Sequence, residues 1–156
     1  MDAIELPPVR REYVSAGGRF RLLIESPDGW RSPQADASLF MGTELLWRTQ
    51  LEHHHGPRFV LLSPQGQVLL VDEWIRVASR RALQLHALDG RRVVRYSLHE
   101  LIERLGVTPA QVNQAARFGP WLAAEPQLST DGSLAQLRLA GRSLWLAMGN
   151  GSLRAG

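Results

Sequence analysis

The feature that most constrains the fold is a series of short apolar segments separated by turns that contain glycine. Residues 19–25 alternate between polar and apolar side chains and place Phe20, Leu22 and Ile24 on one face, the pattern of a half-buried strand. Residues 37–41 and 45–49 predict two more short strands on either side of Gly42. This part of the chain therefore predicts β structure.

Further pairs of apolar segments predict three hairpins: 59–62 with 68–71, 83–88 with 92–96, and 134–139 with 143–148. Pro64 and Gly66 are turn residues within the first pair, whose strands are apolar on both faces. Asp89-Gly90 is a strong two-residue hairpin signal in the second pair, and Gly141 lies in the turn of the third. We expect the first pair to be the central hairpin, because only a strand covered on both sides is apolar on both faces.

An irregular repeat accompanies these strands. Ser15, Ser63 and Ser129 each stand two or three residues before a turn glycine that an apolar strand follows. The first two serines are 48 residues apart and the third lies 66 residues beyond the second, and a spacing near 48 suits a four-stranded propeller blade. The 156 residues supply about three such units. We therefore predict a mainly β fold of antiparallel hairpins in small stacked sheets, propeller-blade-like or a sandwich, instead of a complete ring.

Between the second and third units the apolar pattern changes to a helical period. Ser97 and Glu100 form a capping box, and Gly106 supplies the left-handed end of the first helix. Thr108-Pro109 starts a second helix, which we expect to run to about Arg117. The sequence thus predicts a short two-helix crossover at about 98–117 inside one domain that spans 1–156, with flexible ends at 1–11 and 150–156.

The same two helices resemble the helix-turn-helix of repressor DNA-binding domains, with Gly106 at the turn. That resemblance implies that the second helix presents to the major groove the following polar side chains: Gln111, Asn113, Gln114 and Arg117. Ile102 occupies a position where such motifs usually carry a small residue, and it would hold the helices apart. We therefore expect the apolar side to pack on a sheet through Val112, Ala115, Ala116 and Phe118. A DNA-binding regulator is the alternative function.

Two carboxylates stand beside an indole at the end of the central strand. Asp72, Glu73 and Trp74 form a combination that could bind a sugar or a cationic ligand, whereas acids at a strand end also pair with arginines such as Arg76. These four residues are the candidate binding site. The sequence predicts no catalytic residue and no cofactor.

Three consecutive histidines are the other candidate for chemistry. In an extended segment His53 and His55 share a face about 7 Å apart, so a metal would need further ligands such as Glu52 or Asp72. We expect a solvated loop before Gly56-Pro57, without a metal, although the sequence leaves metal binding open. With no cysteine and no Gly-x-Ser-x-Gly motif, the chain offers no recognisable nucleophile, and we predict that it is not an enzyme.

Charge and hydropathy exclude few classes of binding partner. All 18 basic residues are arginine, spread from Arg10 to Arg154, and the net charge is +3. Such dispersed arginines are typical of a solvated surface, and nucleic acid is not the expected partner. No apolar stretch is long enough to cross a membrane. The N-terminal residues lack a signal-peptide pattern, which fits either a cytoplasmic protein or one whose signal peptide has been removed.

Residues 59–68, 72–74, 87–91 and 96–101 together resemble a group of uncharacterised exported bacterial proteins with propeller-like repeats. The shared pattern is Ser-x-x-Gly, a strand and Asp-x-Trp, followed by Asp-Gly, a strand and Tyr-Ser-Leu, with Gln65 in place of the usual acidic residue. The resemblance implies a periplasmic or otherwise exported β-rich domain and supplies no activity. We expect a non-enzymatic binding or assembly module whose partner is another protein or a cell-envelope component.

Overall fold

The computed structural model describes residues 5–75 and 80–156. Within these residues, twelve strands form three antiparallel sheets of four strands each. In chain order, two short helices follow the second sheet and precede the third. In every sheet the order of the strands follows the order of the chain, so each sheet is a simple meander. The predicted mainly β fold, with hairpins in small stacked sheets and a two-helix crossover, is confirmed.

The elements fall into four groups along the chain. The first sheet contains β1 (Arg10–Val14), β2 (Phe20–Glu25), β3 (Ala35–Met41) and β4 (Glu44–Leu51). The middle sheet contains β5 (Pro57–Leu62), β6 (Val68–Glu73), β7 (Leu83–His86) and β8 (Arg92–Tyr96). The helices α1 (Leu98–Leu105) and α2 (Pro109–Ala115) follow. The third sheet contains β9 (Gln127–Leu128), β10 (Leu134–Leu139), β11 (Arg142–Ala147) and β12 (Leu153–Ala155).

The middle sheet is buried on both faces. Val68 and Leu70 of β6 belong to a core shared with the first sheet, whereas Leu69 and Val71 belong to a core shared with the helices and the third sheet. Alternate side chains of one strand therefore enter two different cores, which is why β6 is apolar at consecutive positions. Hydrophobic packing between faces holds the three sheets in a stack.

The serine repeat marks the first hairpin of each sheet. Ser15, Ser63 and Ser129 occupy equivalent turns, in which the amide of the turn glycine donates to the serine carbonyl oxygen at 2.8, 3.0 and 2.9 Å respectively. In each turn the serine Oγ also accepts a hydrogen bond of 3.0 Å from a backbone amide, that of the first residue of the next strand for Ser15 and Ser129 and that of Gln67, just before β6, for Ser63. The repeat seen in the sequence is therefore a repeated turn structure, built from hydrogen bonds across at most five residues.

The helices begin as predicted, and the second ends early. Ser97 and Thr108 both form complete capping boxes, and Gly106 ends α1 with φ at +66°. α2 ends at Ala115, two residues before the expected Arg117. Among the described residues, no helix has the length and apolar character needed to cross a bilayer.

Three details differ from the sequence predictions. Phe118 does not pack on a sheet as expected, because 40% of its surface is exposed beyond the end of α2. The Asp89-Gly90 hairpin has a five-residue loop, since His86 pairs with Arg92. The strands β1, β9 and β12 were not predicted; β1 and β12 include residues of the segments 1–11 and 150–156, whose flexibility stays a prediction, and residues 1–4 lie outside the described part of the chain.

Candidate functional site

The β4–β5 connection, residues 52–56, crosses from the first sheet to the middle sheet beside the end of β6. His55 and Gly56 both have positive φ, +62° and +80°, and turn the chain back towards β5. The Trp74 amide donates to the Gly56 carbonyl oxygen at 3.1 Å, and the His54 amide donates to Glu73 Oε2 at 3.1 Å. These two bonds bring the histidine segment next to the predicted acidic site.

Glu73 is buried and links the β4–β5 connection to Arg81, at the junction of the first and middle sheets. Its Oε1 accepts a 3.0 Å bond from Arg81 Nη1, while Oε2 accepts from the His54 amide. Arg81 also donates through Nε to Glu52 Oε2 at 3.0 Å, and the same oxygen accepts from Arg95 at 3.2 Å. The hydrogen bond from Arg81 lowers the pKa of Glu52. Both oxygens of Glu73 are thus engaged within the protein.

Asp72 is fully buried and has an unusual backbone conformation, with φ at +62°. Its Oδ1 accepts a 2.9 Å bond from the Glu73 amide, and its Oδ2 lies 3.7 Å from Arg58 Nε. The Trp121 indole N–H also interacts with this carboxyl group, without the geometry of a good hydrogen bond. Burial raises the pKa of Asp72 to about 7, although Arg58 opposes the shift.

Trp74 is covered by two arginines. The guanidinium groups of Arg11 and Arg58 lie over the indole at 5.5 and 5.3 Å from its centre. The indole N–H donates to the Glu5 carbonyl oxygen at 2.7 Å, and Arg58 donates to the carbonyl oxygen of Trp74 itself. Trp74 is therefore engaged by protein groups on its ring and at its nitrogen.

The three predicted site residues that the structure describes do not share a single partner. Asp72, Glu73 and Trp74 are consecutive, but their side chains contact Arg58, Arg81 and the Arg11–Arg58 pair respectively. The fourth, Arg76, lies outside the described residues. The acids therefore pair with arginines from other parts of the chain, the second of the two roles that the sequence suggested.

The expectation of a solvated histidine loop is wrong for His53, which is 1% exposed. Burial lowers the pKa of His53 to about 4, so the ring is neutral near pH 7. Among the described residues, neither of its ring nitrogens has a hydrogen-bond partner. The His55 ring lies against Trp30, with 5.0 Å between centres. No group of three potential metal ligands occurs within residues 5–75 and 80–156.

A groove runs between the first and middle sheets along this junction. It consists of three adjoining hollows of about 230, 250 and 290 Å³. The largest hollow shares Gln50, Leu51 and Glu52 with the second and His54 with the smallest. We call it the inter-sheet groove, lined on one side by residues 49–54 with 32–34 and on the other by Arg80, Arg81, Glu73, Gln84, His86, Gly90 and Arg92.

Gln84 and His86 form the floor of the groove on β7, and the sequence analysis missed both. Each is about 5% exposed or less. The Gln84 amide nitrogen contacts His86 Nε2 at 2.9 Å, and His86 Nδ1 lies 3.0 Å from the Gly90 carbonyl oxygen. Because a carbonyl can only accept, Nδ1 carries the proton and Nε2 accepts from Gln84. Gln84 Oε1 has no partner among the described residues.

A signal for these two residues was present in the sequence. Gln84 and His86 alternate with Leu83 and Leu85 in a short strand beside the doubly buried β6. A strand in that position should be apolar on both faces, so two polar residues on one face indicate a function or a hydrogen-bond network. Trp47 of the first sheet stacks on His86 at 5.5 Å between centres and fixes the ring.

Comparison with known proteins gives little further guidance. No protein-family model matches the chain, and no curated protein matches it. A crystal structure of HIRA(644-1017) is similar over 98% of this chain, with 12% sequence identity and a TM-score of 0.43. The chain spans about half, 54%, of that structure. A similarity at this level assigns neither a family nor a function.

Proposed function

We propose that the protein is a non-enzymatic binding or assembly module and that the inter-sheet groove binds an acidic, extended segment of another protein. The observation that carries this proposal is the presence of two buried polar side chains, His53 and Gln84, that line the groove and have atoms without a hydrogen-bond partner in the part of the chain that the structure describes. A buried polar atom without a partner costs about 1–3 kcal/mol. A ligand that bonds these atoms recovers that free energy.

The donors and acceptors of the groove suit a peptide backbone. A neutral His53 presents one N–H donor and one acceptor nitrogen, and Gln84 Oε1 adds an acceptor. An extended peptide offers N–H and C=O groups in alternation, so it can satisfy both kinds of atom. Arg80 and Arg92 at the rim of the groove favour carboxylate side chains in that peptide.

The titratable groups support binding over catalysis. Asp72, whose pKa of about 7 would suit a general acid or base, is not among the residues that line the inter-sheet groove. His53 lines the groove, but with a pKa of about 4 it is a poor base near neutral pH. Glu73 has both oxygens engaged by Arg81 and the His54 amide.

Contacts in α2 favour a protein partner over duplex DNA. The Gln111 side chain accepts a 2.9 Å bond from the Thr108 amide, which commits its oxygen to the capping box. Arg117 donates to the carbonyl oxygens of Gln114 and Ala116 at 3.0 and 2.9 Å. Two of the side chains that would read DNA are therefore engaged with their own helix.

We also propose that the protein acts outside the cytoplasm, in the periplasm or beyond. The support is the resemblance of the segments between 59 and 101 to exported bacterial proteins with propeller-like repeats. A signal peptide encoded upstream of Met1 in the gene would agree with export. Recovery of the native protein from the cytoplasmic fraction alone would contradict it, without affecting the proposal for the groove.

Selection from a displayed library of random 12-residue peptides tests the proposed ligand. We expect the enriched peptides to be acidic and to bind at least tenfold more weakly to Arg92→Glu and to Gln84→Leu. Arg104→Glu, which reverses an exposed arginine of α1, is the matched control and should bind normally. Enrichment of neutral or basic peptides, or equal binding to all three variants, would refute the assignment of the groove.

A further inference from the structure

The first residues that the structure describes, 5–8, lie across two tryptophans. The Trp74 indole N–H donates to the Glu5 carbonyl oxygen at 2.7 Å, and the Trp30 indole N–H donates to the Pro7 carbonyl oxygen at 2.9 Å. Residues 5–8 belong to no helix or strand, and we call them the N-terminal strap. Two indoles therefore bind carbonyl groups two residues apart on one proline-containing segment.

The sequence of the strap favours a polyproline II helix. Pro7 and Pro8 each fix φ at about −65°, and each disfavours a helical conformation of the residue before it. In a polyproline II helix no carbonyl oxygen bonds within the helix, so all of them are free to accept. Carbonyl groups two residues apart then lie about 6 Å apart along the axis. Pro7 is buried, whereas Leu6 and Pro8 are exposed, so one face of the strap meets the protein.

Both tryptophans are held in place by groups outside the strap. Trp30 lies in the loop between β2 and β3, where its amide donates to Ser26 Oγ at 2.8 Å. Its φ of +64° is rare for a bulky residue, and such conformations cluster where side chains clamp ligands. Trp74 directly follows β6, and the guanidinium groups of Arg11 and Arg58 hold its ring. The two indole donors are therefore positioned independently of the strap.

The strap itself is attached by few contacts. Of its four residues only Pro7 is buried. Within the described chain, its hydrogen bonds are the two that the indoles donate. A terminal segment with so little buried surface opens locally with a small free-energy cost. When the strap opens, both indole N–H groups and the surface under Pro7 become available to another ligand of the same chemistry.

We propose that Trp30 and Trp74 form a binding site for proline-rich segments of other proteins, and that the strap competes with these segments for the site. Aromatic surfaces that receive polyproline II segments are a recurring mode of peptide recognition, because a preformed helix loses little entropy on binding. The strap shows what a ligand must supply, namely a buried proline whose carbonyl oxygen meets Trp30 and a second carbonyl oxygen, two residues earlier, for Trp74.

The site is separate from the inter-sheet groove. Neither indole is among the described residues that line the groove. The two sites also select different ligands, since the groove presents arginines at its rim and the tryptophan site presents indole N–H groups. The inference therefore does not depend on the ligand proposed for the groove.

A separate partner is favoured over a second copy of the chain. The strap of a second copy carries the same groups as the resident strap, which is tethered to the site and so has a high effective concentration there. A partner segment can exceed the strap in proline content, since only two of the four strap residues are proline. Competition lowers the apparent affinity of any partner in proportion to the fraction of molecules in which the strap is open.

Titration with a capped Glu-Leu-Pro-Pro-Val peptide tests the site. Pro7→Gly removes the buried ring and the fixed φ of the strap, so we expect this full-length variant to bind the peptide about tenfold more tightly than the wild type. The five indole N–H groups can be followed by NMR. The signals of Trp30 and Trp74 should shift in Pro7→Gly and return when the peptide is added. Signals that do not respond to the peptide, or equal affinity of the variant and the wild type, would overturn the proposal.

Matched controls separate recognition from general adhesion. A Glu-Leu-Ala-Ala-Val peptide keeps the length and the charge and should bind about tenfold more weakly, because it lacks the preformed helix. Adding Trp74→Phe to Pro7→Gly keeps an aromatic ring without its N–H and should weaken peptide binding by a similar factor. Adding Trp145→Phe, in β11, should change nothing. Equal binding of the two peptides, or of the two double variants, would refute the assignment. Association of the wild type that Pro7→Gly abolishes would identify a second copy as the occupant and overturn the assignment to a separate partner.

Discussion

Asp72 provides the sharpest test of the electrostatics at the junction of the first and middle sheets. The substitution Asp72→Asn keeps the shape of the side chain and removes its ability to ionise. In the wild type, burial raises the pKa from its ordinary 3.8 to about 7 in the folded protein. Between these two values folded Asp72 holds a proton that it releases in the unfolded chain, so the contribution of Asp72 to stability falls as pH rises through this window.

The size of the effect follows from that pKa difference. Each pH unit between the two values changes the free energy of unfolding by about 1.4 kcal/mol, which gives about 4 kcal/mol over the whole window. Between pH 5 and pH 8 the change is about 3 kcal/mol. Asp72→Asn cannot ionise and lacks this pH dependence. The free energy of unfolding of Asp72→Asn, measured relative to the wild type, should therefore rise by about 3 kcal/mol from pH 5 to pH 8. Any effect of the substitution through Arg58 adds a constant difference at every pH.

Urea unfolding of both proteins at intervals from pH 5 to pH 8 measures the difference. Asp131→Asn is the matched control, because turn hydrogen bonds lower the pKa of this exposed carboxylate to about 2. The stability that Asp131 contributes is lost only at more acidic pH. The difference in the free energy of unfolding between Asp131→Asn and the wild type should therefore stay constant from pH 5 to pH 8. A constant difference for Asp72→Asn as well would refute the conclusion that Asp72 is a buried group that ionises near neutral pH.

Two further predictions concern single residues. Burial lowers the pKa of His53 from 6.5 to about 4, so the contribution of His53 to stability falls by about 3 kcal/mol as pH falls between these values, opposite in sign to the contribution of Asp72. In urea unfolding the wild type should therefore lose this amount relative to His53→Gln, and a constant difference between the two proteins would contradict the burial. Ser97→Ala removes the acceptor for the Glu100 amide and should lower the free energy of unfolding by about 1 kcal/mol, whereas an unchanged midpoint would show that the capping box of α1 contributes nothing.

Local features of the fold could be predicted because their partners are close in the sequence. Ser97 bonds to Glu100, and Ser129 bonds to Leu134, within three and five residues. The residues that define such a turn or cap are therefore all visible in one short window. The same reasoning explains why the strand face of Phe20, Leu22 and Ile24 was predicted correctly, since alternation alone places the three side chains together.

The limits of helices and loops were less predictable. α2 ends at Ala115 because its last carbonyl oxygens are taken by its own cap and by the Arg117 side chain, which an apolar pattern does not indicate. The Asp89-Gly90 turn opens to five residues where a register shift occurs between Leu85 and His86. Both outcomes depend on hydrogen bonds that compete with continuation of the element.

The sequence by itself determined nine of the twelve described strands, the serine turns, the capped starts of the helices and the three-unit organisation, because each depends on residues a few positions apart. It did not predict β1, β9 and β12. Only the tertiary structure decided the chemistry of the candidate site. Glu73 is joined to Arg81, and Asp72 faces Arg58 and Trp121, because the stacked sheets bring these residues together. Stacking also buries His53 and Gln84, and burial gives a histidine the pKa of about 4 that its position in the chain could not reveal.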